Sequence, residues 1–214
     1  DARSFVANRI GVFAVIAAML HTQRFGLGFD VVDALAGPAI GRAKSATFRT
    51  VDVVGLDTTA HVIGTMRDTL PDDPWRPHFE VPAVLAALVA KGALGQKAKA
   101  GFYRKQGREI QVLDAGAGDY RASAGVVDPE VAAILRDVFH YCAHQLAAIA
   151  DNACDVDLAI RWGFGWQMGP FETWQAAGWA EVAGWIAEDV AAKKSLAAVA
   201  LPAWVNGAKV GAAK

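Results

Sequence analysis

Cysteine is scarce in this chain, with only Cys142 and Cys154 in 214 residues. Two thiols cannot make a disulfide framework, so a small bridge-held secreted scaffold is excluded and a reducing compartment, the cytoplasm, is expected. Charge of one sign is missing too: 21 basic residues stand against 22 acidic ones. That balance excludes nucleic acid and an anionic membrane surface as expected partners. The longest uncharged stretch near the start, Ile10 to Gln23, is too short to span a bilayer and suits a buried helix. Arg3 and Arg9 before it imitate a secretory signal, but no small-residue cleavage site follows. No initiator Met is present either, so the sequence reads as a piece of a longer protein. Also lacking is any strand–turn–helix unit with a GxGxxG loop, which excludes a dinucleotide-binding sheet within these residues.

What is present is a folded composition, 54% hydrophobic and 20% charged, long enough for one large domain or two small ones. One tract occurs twice. Residues 33–56 read DALAGPAIGRAKSATFRTVDVVGL, and residues 157–179 read DLAIRWGFGWQMGPFETWQAAGW. In each, an Asp (Asp33, Asp157) precedes a Gly by eight residues (Gly41, Gly165). A Phe (Phe48, Phe171) then opens an amphipathic stretch that a Gly (Gly55, Gly178) closes, with one residue of slack between Gly41 and Phe48. Similar units that fold alike usually pack on each other.

The remaining pattern is overwhelmingly helical. Ser4 is placed to cap a helix to about Arg24 with Gly26 beyond its end, and apolar residues nearly all round mark it as central. Asp30, Ser45, Asp57 and Asp155 are each expected to start a helix, with stops at Gly55 and Gly92. A small hairpin is expected around Gln106-Gly107, and residues 114–125 read as a linker. Asp128-Pro129 signals a helix with Val131, Leu135, Val138, Cys142, Leu146 and Ile149 on one face. Helices over 170–177 and 179–193 complete the pattern, and the Ala-rich end beyond is unassigned.

FVANRIG near the start, GRAKSATFRTVDVVGLD in the first tract and GALGQKAKAGFYRK after it resemble the C-terminal helical domain of L-3-hydroxyacyl-CoA dehydrogenases. The last piece is similar to that family's Gly-x-Lys-x-Gly-x-Gly-Phe-Tyr motif, with Lys99 where Gly is usual. WGFGWQMGPFETW resembles the family tract again. Two copies are similar to the long, multifunctional members. The resemblance implies an all-α fold of two tandem related helical units, like the 6-phosphogluconate dehydrogenase C-terminal domain, with a small β-hairpin between them. Residues 1–113 would be the first, substrate-side repeat and 126–214 a second, degenerate one. The second has Ala132 at the register of Asn8 and Gln175 at that of Asp52, and reads as a structural partner.

By the same resemblance the parent is an NAD-dependent enzyme of fatty-acid β-oxidation acting on acyl-CoA. Its NAD-binding fold and catalytic His and Glu would lie upstream, so this stretch binds no cofactor and is expected to be inactive alone. A fused or associated enoyl-CoA hydratase is an implied partner. The second repeat would supply internally the contact that single-function relatives make between chains, leaving a monomer.

Asn8 lies on the helical side of Phe5, Val12 and Ile16, where an amide must find hydrogen-bond partners. By position alone it reads as a core Asn tethering a loop; the resemblance makes it the catalytic-site Asn. Arg9 is expected to pair with a carboxylate. Ser45, first a helix cap, and Phe48 are the implied substrate-binding residues. Lys97 and Lys99 read as solvated rather than as phosphate ligands. His140 and His144 fall opposite the apolar stripe that holds Cys142 and lack an acidic partner between them, so no metal site is expected. The alternatives are another hydroxy-acid dehydrogenase using the same helical domain, or a non-catalytic scaffold or dimerisation module.

Overall fold

A computed structural model describes residues 6–123 and 132–207 of the chain. Its axis is α1 (Val6–Phe25), whose buried positions run right round the helix: Ile10, Gly11, Phe13, Ala14, Ile16, Ala17, Ala18 and Met19. Small residues make this possible. A Cβ on Gly11 would fall 1.9 Å from the Phe164 ring, so only glycine lets the neighbouring helix settle there. Gly26, at φ +63, ends the helix in a left-handed turn open to glycine without strain. Ser4 and Asp128-Pro129, expected to open helices, lie outside the described residues.

From α1 the chain runs through α2 (Phe29–Leu35), α3 (Phe48–Val54), α4 (Leu56–Thr69) and α5 (Ala83–Ala90). Next comes an antiparallel sheet, β1 (Tyr103–Gln106), β2 (Glu109–Asp114) and β3 (Asp119–Ala122), in the order β1-β2-β3. Gln106 pairs with Glu109 and Asp114 with Asp119, so the first turn sits on Gly107-Arg108, one residue beyond its expected centre. The third strand corrects the reading of residues 114–125 as a linker. Tyr120 donates its hydroxyl to the Gly101 carbonyl at 2.5 Å, and Arg121 grips Asp30 at 2.8 and 3.1 Å. Those tertiary bonds hold a segment whose own composition is that of a loop.

The rest is α6 (Ala132–Ile149), α7 (Ala153–Phe164), α8 (Pro170–Ala176), α9 (Trp179–Ala191) and the short α10 (Trp204–Gly207). α6 and α7 pack directly on α1, and one apolar cluster extends from Ile10 to Val205. At its centre Phe13 stacks on Tyr141 with centroids 3.8 Å apart, and Trp75 meets both edge-on. Such contacts add about 0.5–1.5 kcal/mol each beyond burial. α6 is not one-sided: Asp137, His140 and Gln145 are buried along with its apolar residues. His140 therefore belongs to the core, wedged against Trp75 at 5.0 Å, rather than to a solvated face. Among the described residues no helix is long and apolar enough to cross a membrane.

The expected helix caps need correcting. Asp30 lies inside the first turn of α2, whose cap position is Gly28, and Asp57 lies inside α4, entered from Gly55. Asn152, not Asp155, caps α7, its side chain accepting from the Asp155 amide at 3.1 Å. Ser45 stands ahead of α3 and its hydroxyl accepts from Thr50 at 2.8 Å. The amides of α3 go elsewhere.

Candidate functional site

They go to Asp33, fourteen to sixteen residues earlier. Its carboxylate accepts from the backbone N–H groups of Thr47 (3.0 Å), Phe48 (2.8 Å) and Arg49 (3.1 Å), and from the Tyr103 hydroxyl (3.0 Å). A negative group at a helix N-terminus satisfies orphan donors and complements the helix dipole. The second tract does the same: Asp157 accepts from Phe171 (2.8 Å) and Glu172 (3.1 Å) at the start of α8. Gly41 and Gly165 both turn in the left-handed region, at φ +70 and +66, and Gly55 and Gly178 follow at φ +108 and +97. Burial pushes Asp33 up to about 6 and Asp157 up to about 7, against the lowering effect of the amides.

Asp52, on α3, performs a related task for the glycine-rich motif. It accepts from the amides of Phe102 and Tyr103, both at 2.8 Å, and burial raises it to about 6. Gly95 and Gly101 lie so close that a Cβ would fall 2.3 Å from the Asp52 carbonyl and 2.1 Å from its carboxylate. The motif thus folds round one aspartate. Phe102 closes an aromatic triangle with Phe29 and Phe48, centroids 4.7 to 4.9 Å apart. Lys99 occupies a left-handed position, φ +62, that glycine would take without strain.

Two of the sequence-derived site residues are placed differently from expectation. Asn8 is exposed rather than buried, and among the described residues its amide makes no hydrogen bond. Its neighbour Arg9 explains why: the guanidinium turns inward to Asp73 (3.1 Å), Gln145 (2.5 Å) and Tyr141 (3.3 Å), fixing the rotation of α1. This is the carboxylate pairing expected for Arg9. Phe48 is fully buried in the aromatic triangle and presents no surface, while Ser45 is half-buried.

The end of α7 connects the Asn8 helix to the Ser45 loop. Gly163 presses on Ala7 so closely that a Cβ would lie 2.7 Å from it, and Phe164 covers Gly11. Two residues on, the Trp166 ring lies 3.6 Å from the Arg42 guanidinium, and the Gln167 amide donates to the Gly41 carbonyl at 2.6 Å. The two Gly turns therefore meet. Burial lowers Arg42 to about 9, a cost the Trp166 face partly offsets. Sequence reasoning missed this junction; the small residues Ala7, Gly11 and Gly163 were its only trace. Beside it Trp162 is 80% exposed.

No grouping of three metal-ligating side chains occurs among the described residues, and their only sheet is antiparallel, without a glycine loop leading into a helix. The residues present do not fit a dinucleotide.

Residues 5–105 match the family described as 3-hydroxyacyl-CoA dehydrogenase, C-terminal domain. This part of the chain belongs to that family. A Bacillus subtilis protein named probable 3-hydroxyacyl-CoA dehydrogenase is 34% identical over 226 aligned positions, covering 88% of this chain and 28% of the relative. A Rickettsia felis protein named as a fatty acid oxidation complex trifunctional enzyme is 26% identical over 195 positions, 80% of this chain and 27% of that one. The chain thus spans little more than a quarter of the length of these relatives. A crystal structure of Escherichia coli 3-hydroxybutyryl-CoA dehydrogenase shares the fold with a TM-score of 0.63 at 15% identity, over 90% of this chain and 56% of that one. Within the 3-hydroxyacyl-CoA dehydrogenase domain, Asp33, Asp52 and the two glycines around Asp52 are scaffold. Asn8 faces outward at the start of α1.

Proposed function

We propose that this chain is the substrate-facing helical region of an NAD-dependent L-3-hydroxyacyl-CoA dehydrogenase of fatty-acid β-oxidation, and that Asn8 contacts the acyl-CoA substrate. The observation that carries this is the Asn8 amide, exposed and without a hydrogen-bond partner among the described residues, beside an Arg9 locked into the core. An amide both donates and accepts, so it suits a substrate that interconverts hydroxyl and carbonyl. Ser45 is the second proposed substrate contact, and Phe48 holds its loop from below. NAD is assigned to the rest of the parent, because the residues here do not fit it, and the chain alone is expected to be inactive.

Two further elements belong to this reading. The matched capping by Asp33 and Asp157, and the matched glycine turns, support two tandem related helical units meeting at Gly41 and Gln167. Such an internal pair supports a monomer. The trifunctional relative supports fusion of further activities in the parent; a fused or associated enoyl-CoA hydratase and a cytoplasmic location are part of the proposal.

The test is NADH-dependent reduction of acetoacetyl-CoA by the intact parent, with and without Asn8→Ala. Loss of about 10²-fold in kcat/KM is expected, on the scale of one lost oxyanion donor. A parent indifferent to the change leaves Asn8 a surface residue, and an unmutated parent without activity overturns the functional assignment.

A further inference from the structure

A cavity of about 630 Å³ opens far from Asn8, between the end of α1, α5 and the β2–β3 turn. Met19 lies eleven residues beyond Asn8 on the same helix, about 16 Å along the axis at 1.5 Å per residue. The volume falls within the range of small-molecule sites. Its floor is apolar and already buried: Met19, Phe29, Leu88 and Leu113. The charges at its rim are unequal in their freedom. Arg121 is held by Asp30 on both carboxylate oxygens, and Asp114 turns to the Gly116 and Ala117 amides at 2.9 and 3.0 Å. Lys91, exposed at the end of α5, has no carboxylate partner among the described residues.

We propose that this cavity binds an unbranched aliphatic chain carrying a carboxylate, with the chain over Met19, Leu88 and Leu113 and the carboxylate at Lys91. The apolar floor supplies affinity through burial, about 0.8 kcal/mol per buried methylene. Arg121 and backbone amides engage the carboxylates of Asp30 and Asp114, and Lys91 is left as the rim charge open to a counter-ion, which favours an anionic head there. The site is separate from the surface around Asn8 and does not depend on the dehydrogenase reading.

The test is calorimetric titration of the full chain at pH 7.5 with decanoate, 1-decanol and decyltrimethylammonium, each below its aggregation concentration. Decanoate is expected to bind saturably at one site, decanol several-fold more weakly, and the cation not at all. Ala87→Trp, at an exposed lining position of α5, is expected to abolish binding with the helical circular dichroism unchanged. Lys91→Gln should weaken decanoate about fivefold and leave decanol unaffected. Absence of saturable decanoate binding overturns the proposal, as does binding that survives Ala87→Trp. Self-association of the chain that Ala87→Trp removes would make the groove an interface between copies and also overturn it.

Discussion

Removing the Asp33 carboxylate should be among the most damaging single changes outside the apolar core. Asp33→Ala leaves three amides at the start of α3 and the Tyr103 hydroxyl without their acceptor. Loss of a helix cap costs about 1–2 kcal/mol, and each buried donor left unsatisfied about 1–3. Water reaches the half-buried Arg49 end, and the ionised carboxylate itself resists burial, as its rise to about 6 shows. The net loss is therefore about 3–5 kcal/mol rather than the full sum. For a chain of this length that lowers Tm by about 8–15 °C. Asp157→Ala removes two such bonds and no phenol contact, so about 2 kcal/mol is expected. Scanning calorimetry of both variants at pH 7.5 checks the ranking. If Asp33→Ala melts within 2 °C of wild type (about 1 kcal/mol or less), or no lower than Asp157→Ala, the long-range cap does not organise α3 and the reasoning fails.

Other changes should move stability in stated directions. Lys99→Gly relieves a left-handed backbone and should raise stability by about 0.5–1 kcal/mol, read as a higher urea midpoint with unchanged slope. Gly101→Ala drives a Cβ to 2.1 Å from Asp52 and should cost about 2–3 kcal/mol by the same denaturation. His140 is lowered by burial to about 4 from 6.5, so its neutral form stabilises the fold at pH 7 and that contribution is lost as pH falls from 6.5 through 4. His140→Gln should accordingly melt progressively closer to wild type between pH 7 and 4.5. Asp33, Asp52 and Asp157, raised to about 6–7, act oppositely, adding stability as pH falls through 7 and 6 toward 4; Asp52→Asn should flatten that gain. Trp162→Ser, at an 80% exposed site, should change the stability of this chain by less than about 0.5 kcal/mol.

The doubled tract was legible because its spacings are backbone geometry in disguise. Left-handed turns need glycine, and an Asp that caps a helix across a loop must stand at a nearly fixed distance from the Phe that opens it. What the spacing did not disclose was which atom did the capping. Local rules place Ser, Asp or Asn directly before the first helical turn, and so pointed to Ser45 for α3 and to Asp155 for α7, where the nearby Asn152 serves. In α3 and α8 the cap arrives from the previous helix instead, with three amides on Asp33 and two on Asp157.

Burial was misjudged wherever a partner lay far along the chain. Helical periodicity put Asn8 on an apolar side and His140 on a polar one, and both placements reversed. Arg9 reaches Asp73 across 64 residues and Gln145 across 136, and that pair decides how α1 is rotated. His140 is buried because Trp75, from a proline-rich turn, closes over it. The same logic separates scaffold from candidate site. Every buried charged group near the signature motifs is engaged inside the chain, by amides around the aspartates, by Trp166 over Arg42 and by Asp73 under Arg9. A polar side chain that such a tightly paired fold leaves facing outward has no structural work to do there. Asn8 meets that description, which is why its substitution should leave the fold intact and be felt only when substrate is present.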